Sequence, residues 1–256
     1  MSGTLSLAFS ESGSGLPVVL LHAFPFDRTM WMPQAANVDV RLLLPDLPGF
    51  GGSPVADSTV DSMADAIANW LDEIKLADQI VLGGCSMGGF VALAFARKYP
   101  ARLRGLILAD TKAEPDDEAA KANRNKMIDA AATLTAASVI DGMIPKALSE
   151  VTRTTRPEVV AEVRRIGAAQ PVAGIVAAQT MMRDRPDARP SLAAIRVPTL
   201  IVVGADDAIT PQTVAKAMAE AIPGSRLAIL PTAGHLPNLE VPEAFNAAVG
   251  DWLKTF

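Results

Sequence analysis

Six short, uninterrupted apolar runs, spaced along the chain and interleaved with stretches of helical periodicity, constrain this 256-residue sequence more than any other feature. They cover 17–22 (Pro-Val-Val-Leu-Leu-His), 40–44 (Val-Arg-Leu-Leu-Leu), 79–83, 103–109 (Leu-Arg-Gly-Leu-Ile-Leu-Ala), 198–203 (Pro-Thr-Leu-Ile-Val-Val) and 226–230 (Arg-Leu-Ala-Ile-Leu). A strand with one wet face alternates apolar and polar residues. A continuous run instead fits a strand covered on both faces, as in a parallel sheet. Amphipathic stretches lie at 59–75, 86–98, 211–221 and 242–254; in the first, Val60, Met63, Ala64, Ile67, Trp70, Leu71 and Ile74 recur at helical spacing. Such alternation predicts an α/β fold with helices on both faces of the sheet. Thr4 to Phe9 is a candidate further strand at the N-terminal edge.

The alternation stops between about 112 and 192, a stretch rich in Ala, Arg, Asp and Met and punctuated by Pro145, Pro157, Pro171, Pro186 and Pro190. It predicts several helices and no strand. One core, 1–111 plus 193–256, is therefore expected to carry a helical insertion at 112–192, between the sixth and seventh strands of its sheet. Most of the insertion's apolar residues are expected in ordinary helix-core packing. Because it leaves the carboxyl end of a strand, where open parallel sheets bind ligands, it is also expected to cap that site.

Residues 83–89 read Gly-Gly-Cys-Ser-Met-Gly-Gly, directly after Gln79-Ile80-Val81-Leu82. A strand ending in Gly-x-Ser-x-Gly and turning at once into a helix presents a nucleophile at the apex of a tight turn. Gly84 and Gly88 flank Ser86 in that frame. A cysteine frame on Cys85 would need glycine at 83 and 87, and position 87 is Met. Cys85, the single cysteine, then reads as a small buried residue. The plainer reading of the stretch is a glycine-rich turn without chemistry, so the serine needs partners elsewhere.

A serine hydroxyl is a weak nucleophile until a base takes its proton. The chain has two histidines, His22 and His235. His235 follows the last apolar run, in Thr-Ala-Gly-His-Leu-Pro, and is the candidate base. His22 closes the run at 17–22 and suits a structural role in the adjoining loop. The base needs an acid to fix its tautomer; Asp206 and Asp207, just past the run at 198–203, both qualify, and Asp110 at the end of 103–109 is a third option. Two backbone amides are also needed for a developing oxyanion. Met87 supplies one, and Ala23 or Phe24 the other, since Pro25 has no N–H.

These motifs together resemble the α/β-hydrolase fold family, in its epoxide-hydrolase-like, lactonase and esterase branch, nearly end to end and least in the insertion. His22-Ala23-Phe24-Pro25 is similar to that branch's His-Gly-x-Pro loop, with Ala for Gly. Asp46 to Ser53 resembles its Asp-x-x-Gly-x-Gly-x-Ser loop, Gly204-Ala205-Asp206-Asp207 its Gly-x-x-Asp, and Gly234-His235 its base loop. The resemblance implies a mostly parallel eight-stranded sheet with a small helical cap. It implies a triad of Ser86, Asp207 and His235, with the amides of Phe24 and Met87 as the oxyanion hole. Serine at the elbow, where epoxide- and halide-processing relatives carry Asp, implies acyl transfer to water. Among serine members the likeness is greatest to 3-oxoadipate enol-lactonase-like hydrolases and small carboxylesterases. Phe24, Phe26, Trp31, Met87, Met181 and Met182 are the candidate pocket residues, and no metal or cofactor is implied. Perhydrolysis, C–C bond hydrolysis or a non-catalytic receptor role are the alternatives on the same scaffold.

Net charge is −5 and no Lys/Arg cluster stands out, which disfavours nucleic acid as a partner. No apolar run is long enough to span a bilayer, and the opening Met-Ser-Gly-Thr-Leu-Ser shows neither a basic region nor a long apolar core. With a single cysteine this leads to the expectation of a cytoplasmic protein acting on a small ester or lactone. A homodimer is left open.

Overall fold

The computed structural model describes residues 6–35, 40–56 and 58–256. Its strands are β1 (Phe9–Ser12), β2 (Pro17–Leu21), β3 (Arg41–Pro45), β4 (Ile80–Cys85), β5 (Leu103–Ala109), β6 (Thr199–Gly204) and β7 (Arg226–Leu230). They form one sheet in the order β1-β3-β2-β4-β5-β6-β7. Only the edge strand β1 runs antiparallel, against β3. The helices are α1 (Met32–Ala35), α2 (Val60–Glu73), α3 (Met87–Lys98), α4 (Glu118–Asp129), α5 (Ala136–Ala147), α6 (Glu150–Thr155), α7 (Pro157–Ala168), α8 (Val172–Arg183), α9 (Arg189–Leu192), α10 (Gln212–Ala221), α11 (Pro237–Glu240) and α12 (Pro242–Leu253).

Burial follows the apolar runs. Every residue of β2, β4 and β6 is buried, whereas the edge strands β1 and β7 are partly exposed. Successive side chains of a strand point to opposite faces, and the core divides accordingly. Val19, Leu21 and Leu82 join a cluster with α2 and α3, while Val18, Leu20 and Val81 join another with α12. Helix α2 turns Val60, Met63, Ile67, Trp70 and Leu71 inward, and a reciprocal Thr59–Ser62 capping box starts it.

Two expectations need correction. The sheet has seven strands among the described residues, not eight. The N-terminal edge strand begins at Phe9 rather than ending there; Ser6, Leu7 and Ala8 are not strand, and Thr4 and Leu5 lie outside the described residues. With that count the insertion follows the fifth strand: α4 to α9 lie between β5 and β6, with no strand among them. Its helices pack mainly on one another, α5 on α7 and α4 on α8.

The strand order places the site. The chain crosses from β2 outward to β3 and then returns past β2 to β4, so β2 and β4 are neighbours at the point where the order reverses. Their registers pair Leu20 with Gly83 and Leu21 with Gly84. In open parallel sheets this is the point at which ligands bind.

Candidate active site

Ser86 follows β4 directly and is the N-cap residue of α3, with φ 51° and ψ −110°. That left-handed conformation is uncommon for a residue with a side chain. Its neighbours make it attainable: a Cβ on Gly84 would overlap the Gly88 carbonyl, and one on Gly88 would overlap the Leu21 carbonyl. The elbow is tied into the sheet by its backbone. Ser86 N–H donates to Ala109 O at 2.9 Å, and Gly89 N–H donates to Ser86 O at 3.0 Å. Thr111 Oγ1 adds a 2.8 Å hydrogen bond to the same carbonyl.

The structure brings three of the sequence candidates into one chain of hydrogen bonds. Ser86 Oγ lies 2.8 Å from His235 Nε2, and His235 Nδ1 lies 2.8 Å from Asp207 Oδ2. A carboxylate accepts, so Nδ1 carries the imidazole proton and Nε2 is left to accept from the serine hydroxyl. Asp207 accepts three further hydrogen bonds, from Ile209 N, Thr210 N and Thr210 Oγ1. Burial alone would push its carboxyl up. The facing imidazole, then the hydrogen bonds from His235 and Thr210, outweigh that and hold it below the usual carboxylate value. Asp206 is exposed, and its amide donates to Ala233 O. Of the two adjacent aspartates, Asp207 is thus the one hydrogen-bonded to His235.

The other candidates also separate. His22 is fully buried; Nδ1 donates to Ala23 O at 3.0 Å and Nε2 accepts from Leu47 N at 2.8 Å. Both ring nitrogens are thus spent on joining the loop after β2 to the loop after β3, and burial lowers its basicity. Cys85 is buried beside the serine, and burial pushes its thiol up, away from thiolate. Ala23 N–H is taken by Met30 Sδ at 3.2 Å, which leaves Phe24 N–H in the loop beside Ser86. Met87 N–H stands at the first turn of α3, where amides lack intrahelical acceptors.

The pocket candidates fall on two sides. Phe24, Met87, Met181 and Met182 share the cluster that includes α2 and α3. Phe26 and Trp31 sit in the opposite cluster, and Trp31 packs on Phe245 of α12 at 5.9 Å between ring centroids. These two wedge the loop after β2 against the core from the other face.

Sequence reasoning missed Glu240. It is fully buried in α11 and binds three backbone amides: Oε1 accepts from Gly234 N and Leu236 N, and Oε2 from Ser149 N. It therefore fastens the His235 loop to the insertion, and His235 N–H itself donates to Ala147 O at 2.9 Å. Its only sequence signal is an acid in the otherwise apolar or neutral stretch Leu236-Pro-Asn-Leu-Glu-Val-Pro242.

Comparison with known proteins gives the family. Residues 18–248 match the model of a family described as the alpha/beta hydrolase family. A pimeloyl-[acyl-carrier protein] methyl ester esterase of Aromatoleum aromaticum is 30% identical over 251 residues, covering 93% of this chain and 98% of the relative. A 3-oxoadipate enol-lactonase of Acinetobacter baylyi is 29% identical, covering 89% and 85%. The solved structure of a thermophilic esterase from Thermogutta terrifontis, described as malate bound, superposes with a TM-score of 0.94 at 44% identity, covering 97% of this chain and 93% of that one. No helix among the described residues is long and apolar enough to cross a membrane.

Proposed function

The chain belongs to the alpha/beta hydrolase family, and from that premise we propose that it hydrolyses a carboxylic ester or lactone through an acyl-enzyme on Ser86. The observation that carries the reading is the unbroken hydrogen-bond chain from Ser86 Oγ through His235 to Asp207, each link 2.8 Å long. His235 Nε2 takes the serine proton as Oγ attacks the substrate carbonyl. Asp207 stabilises the imidazolium that results. The amides of Phe24 and Met87 hold the oxyanion. His235 then returns the proton to the departing alkoxide, and the tetrahedral intermediate collapses to an acyl-serine. In the second half a water molecule takes the alcohol's place: it gives a proton to His235, adds to the acyl carbon, and Ser86 leaves with that proton.

The named esterases among the relatives support an ester, and the enol-lactonase supports a lactone as its cyclic counterpart. We read residues 112–192 as a cap over the serine. Phe24, Met87, Met181 and Met182 then give the acyl group an apolar wall. A panel of p-nitrophenyl esters of graded chain length, assayed beside an enol-lactone, tests the reading. Turnover of at least one ester or the lactone is expected, with a preferred chain length. Turnover of neither contradicts the proposal.

A further inference from the structure

Asp110 is a buried carboxyl that the proposed reaction does not use. It follows β5 in a left-handed conformation, φ 43°, with its N–H donating to Val202 O at 2.9 Å. Its Oδ1 accepts from Gly204 N at 2.9 Å. Its Oδ2 is buried and has no hydrogen-bond partner among the described residues. Carboxylate atoms of Asp110 and Asp207 and a ring nitrogen of His235 all lie within 4.8 Å of one another. The other titratable groups facing Asp110 are Glu240 of α11 and Cys85 at the end of β4. Lys112, two residues on, pairs instead with Asp116.

Two carboxylates this close, away from water, do not both carry charge. The donors decide which one does. Asp207 accepts from Ile209 N, Thr210 N, Thr210 Oγ1 and His235 Nδ1. Asp110 accepts from Gly204 N alone. We propose that Asp110 is the neutral member of a carboxyl pair with Asp207, its proton held on the oxygen that no donor reaches, and that in this form it positions Asp207 behind His235. Burial, and then the charge of Asp207, push the Asp110 carboxyl well up, in keeping with the geometry.

The protonation stands on geometry alone; only its part in turnover rests on the proposed function. The test therefore begins without an activity assay. The ordinary aspartate value is 3.8, so unfolded Asp110 ionises above it while the folded residue keeps its proton. Wild-type stability from this group is present below that value and is lost as pH rises towards the folded value. Asp110→Asn has no such titration. The ratio of unfolding constants, wild type over Asp110→Asn, is expected to rise about tenfold per pH unit between about pH 4.5 and 7. A flat or falling ratio overturns the proposal. Should Asp110→Asn not fold, the wild type suffices. Its infrared spectrum at neutral pH is expected to hold a protonated-carboxyl band that moves when the aspartate carboxyl carbons are isotopically labelled; a spectrum without such a band overturns the proposal. In turnover, Asp110→Ala is expected to lower kcat and Asp110→Asn to restore most of it, because the amide offers Gly204 an acceptor and Asp207 a donor. An asparagine variant as impaired as the alanine one would mean that charge is required at 110.

Discussion

Ser86 and His235 meet at 2.8 Å, yet different parts of the molecule hold them. The serine is set by backbone: a strand end, a left-handed apex and two glycines that let the chain turn within the core. The histidine sits on a loop without regular structure. Its position depends on side chains and on groups from the insertion: Glu240 bridges Gly234, Leu236 and Ser149, and Ala147 O receives the His235 amide. Asp207 resembles the histidine in this respect, held by the Thr210 turn and by His235 itself. Ser86 is thus held by the core alone, and His235 by the core and the insertion together. Substitutions around the insertion are expected to act on His235 before they act on Ser86.

The acid gives the largest effect. Asp207→Asn keeps the shape but reverses the tautomer preference of His235, and kcat is expected to fall about ten-thousandfold. The exposed neighbour is the control: Asp206→Asn is expected to stay within about twofold. Equal losses at both positions would undo the assignment of the acid. Glu240→Gln comes next. It leaves amides of the His235 loop facing an NH2 group, so stability is expected to drop by about 1–3 kcal/mol. A base displaced by a fraction of an ångström lowers kcat by about ten- to a hundredfold. Chemical denaturation and steady-state kinetics read the two separately, and a stability loss with unchanged kcat would break the link between Glu240 and the base. The smallest effect is expected on the serine side. Thr111→Val removes one hydrogen bond to Ser86 O, but that carbonyl still accepts from Gly89 N and Phe90 N. A cost near 1 kcal/mol in stability is expected, with kcat changed by no more than about threefold. A larger fall in kcat than that of Glu240→Gln would reverse the comparison.

The same division explains what the sequence made legible. The elbow is a local string, and the requirement for glycine on either side of Ser86 is steric, so it is written in adjacent letters. The buried strands are legible because a parallel strand needs apolar residues on both faces. His235 is also legible, in a loop directly following a strand; the acid is legible only as far as Asp206 or Asp207, and the choice between them rests on the family resemblance. Glu240 is not, since its partners Ser149 and Gly234 come from separate elements and nothing about a single glutamate announces three amides. The pairing of Asp110 with Asp207 depends on two strand ends lying side by side. The face on which Phe26 and Trp31 pack depends on where the loop after β2 turns. The edge strand β1, half-exposed and polar, lacks the apolar run that marked the others. Long-range packing decided each of these, and periodicity carries no record of it.

The central claim is that Ser86 is the nucleophile. Brief exposure to a fluorophosphonate or a slow p-nitrophenyl ester, followed by mass spectrometry of the proteolysed protein, tests it most directly. One stoichiometric adduct is expected on the peptide containing Ser86, absent from Ser86→Ala together with ester turnover. An adduct on another residue, or a Ser86→Ala variant that still turns over the ester at the wild-type rate, would contradict it.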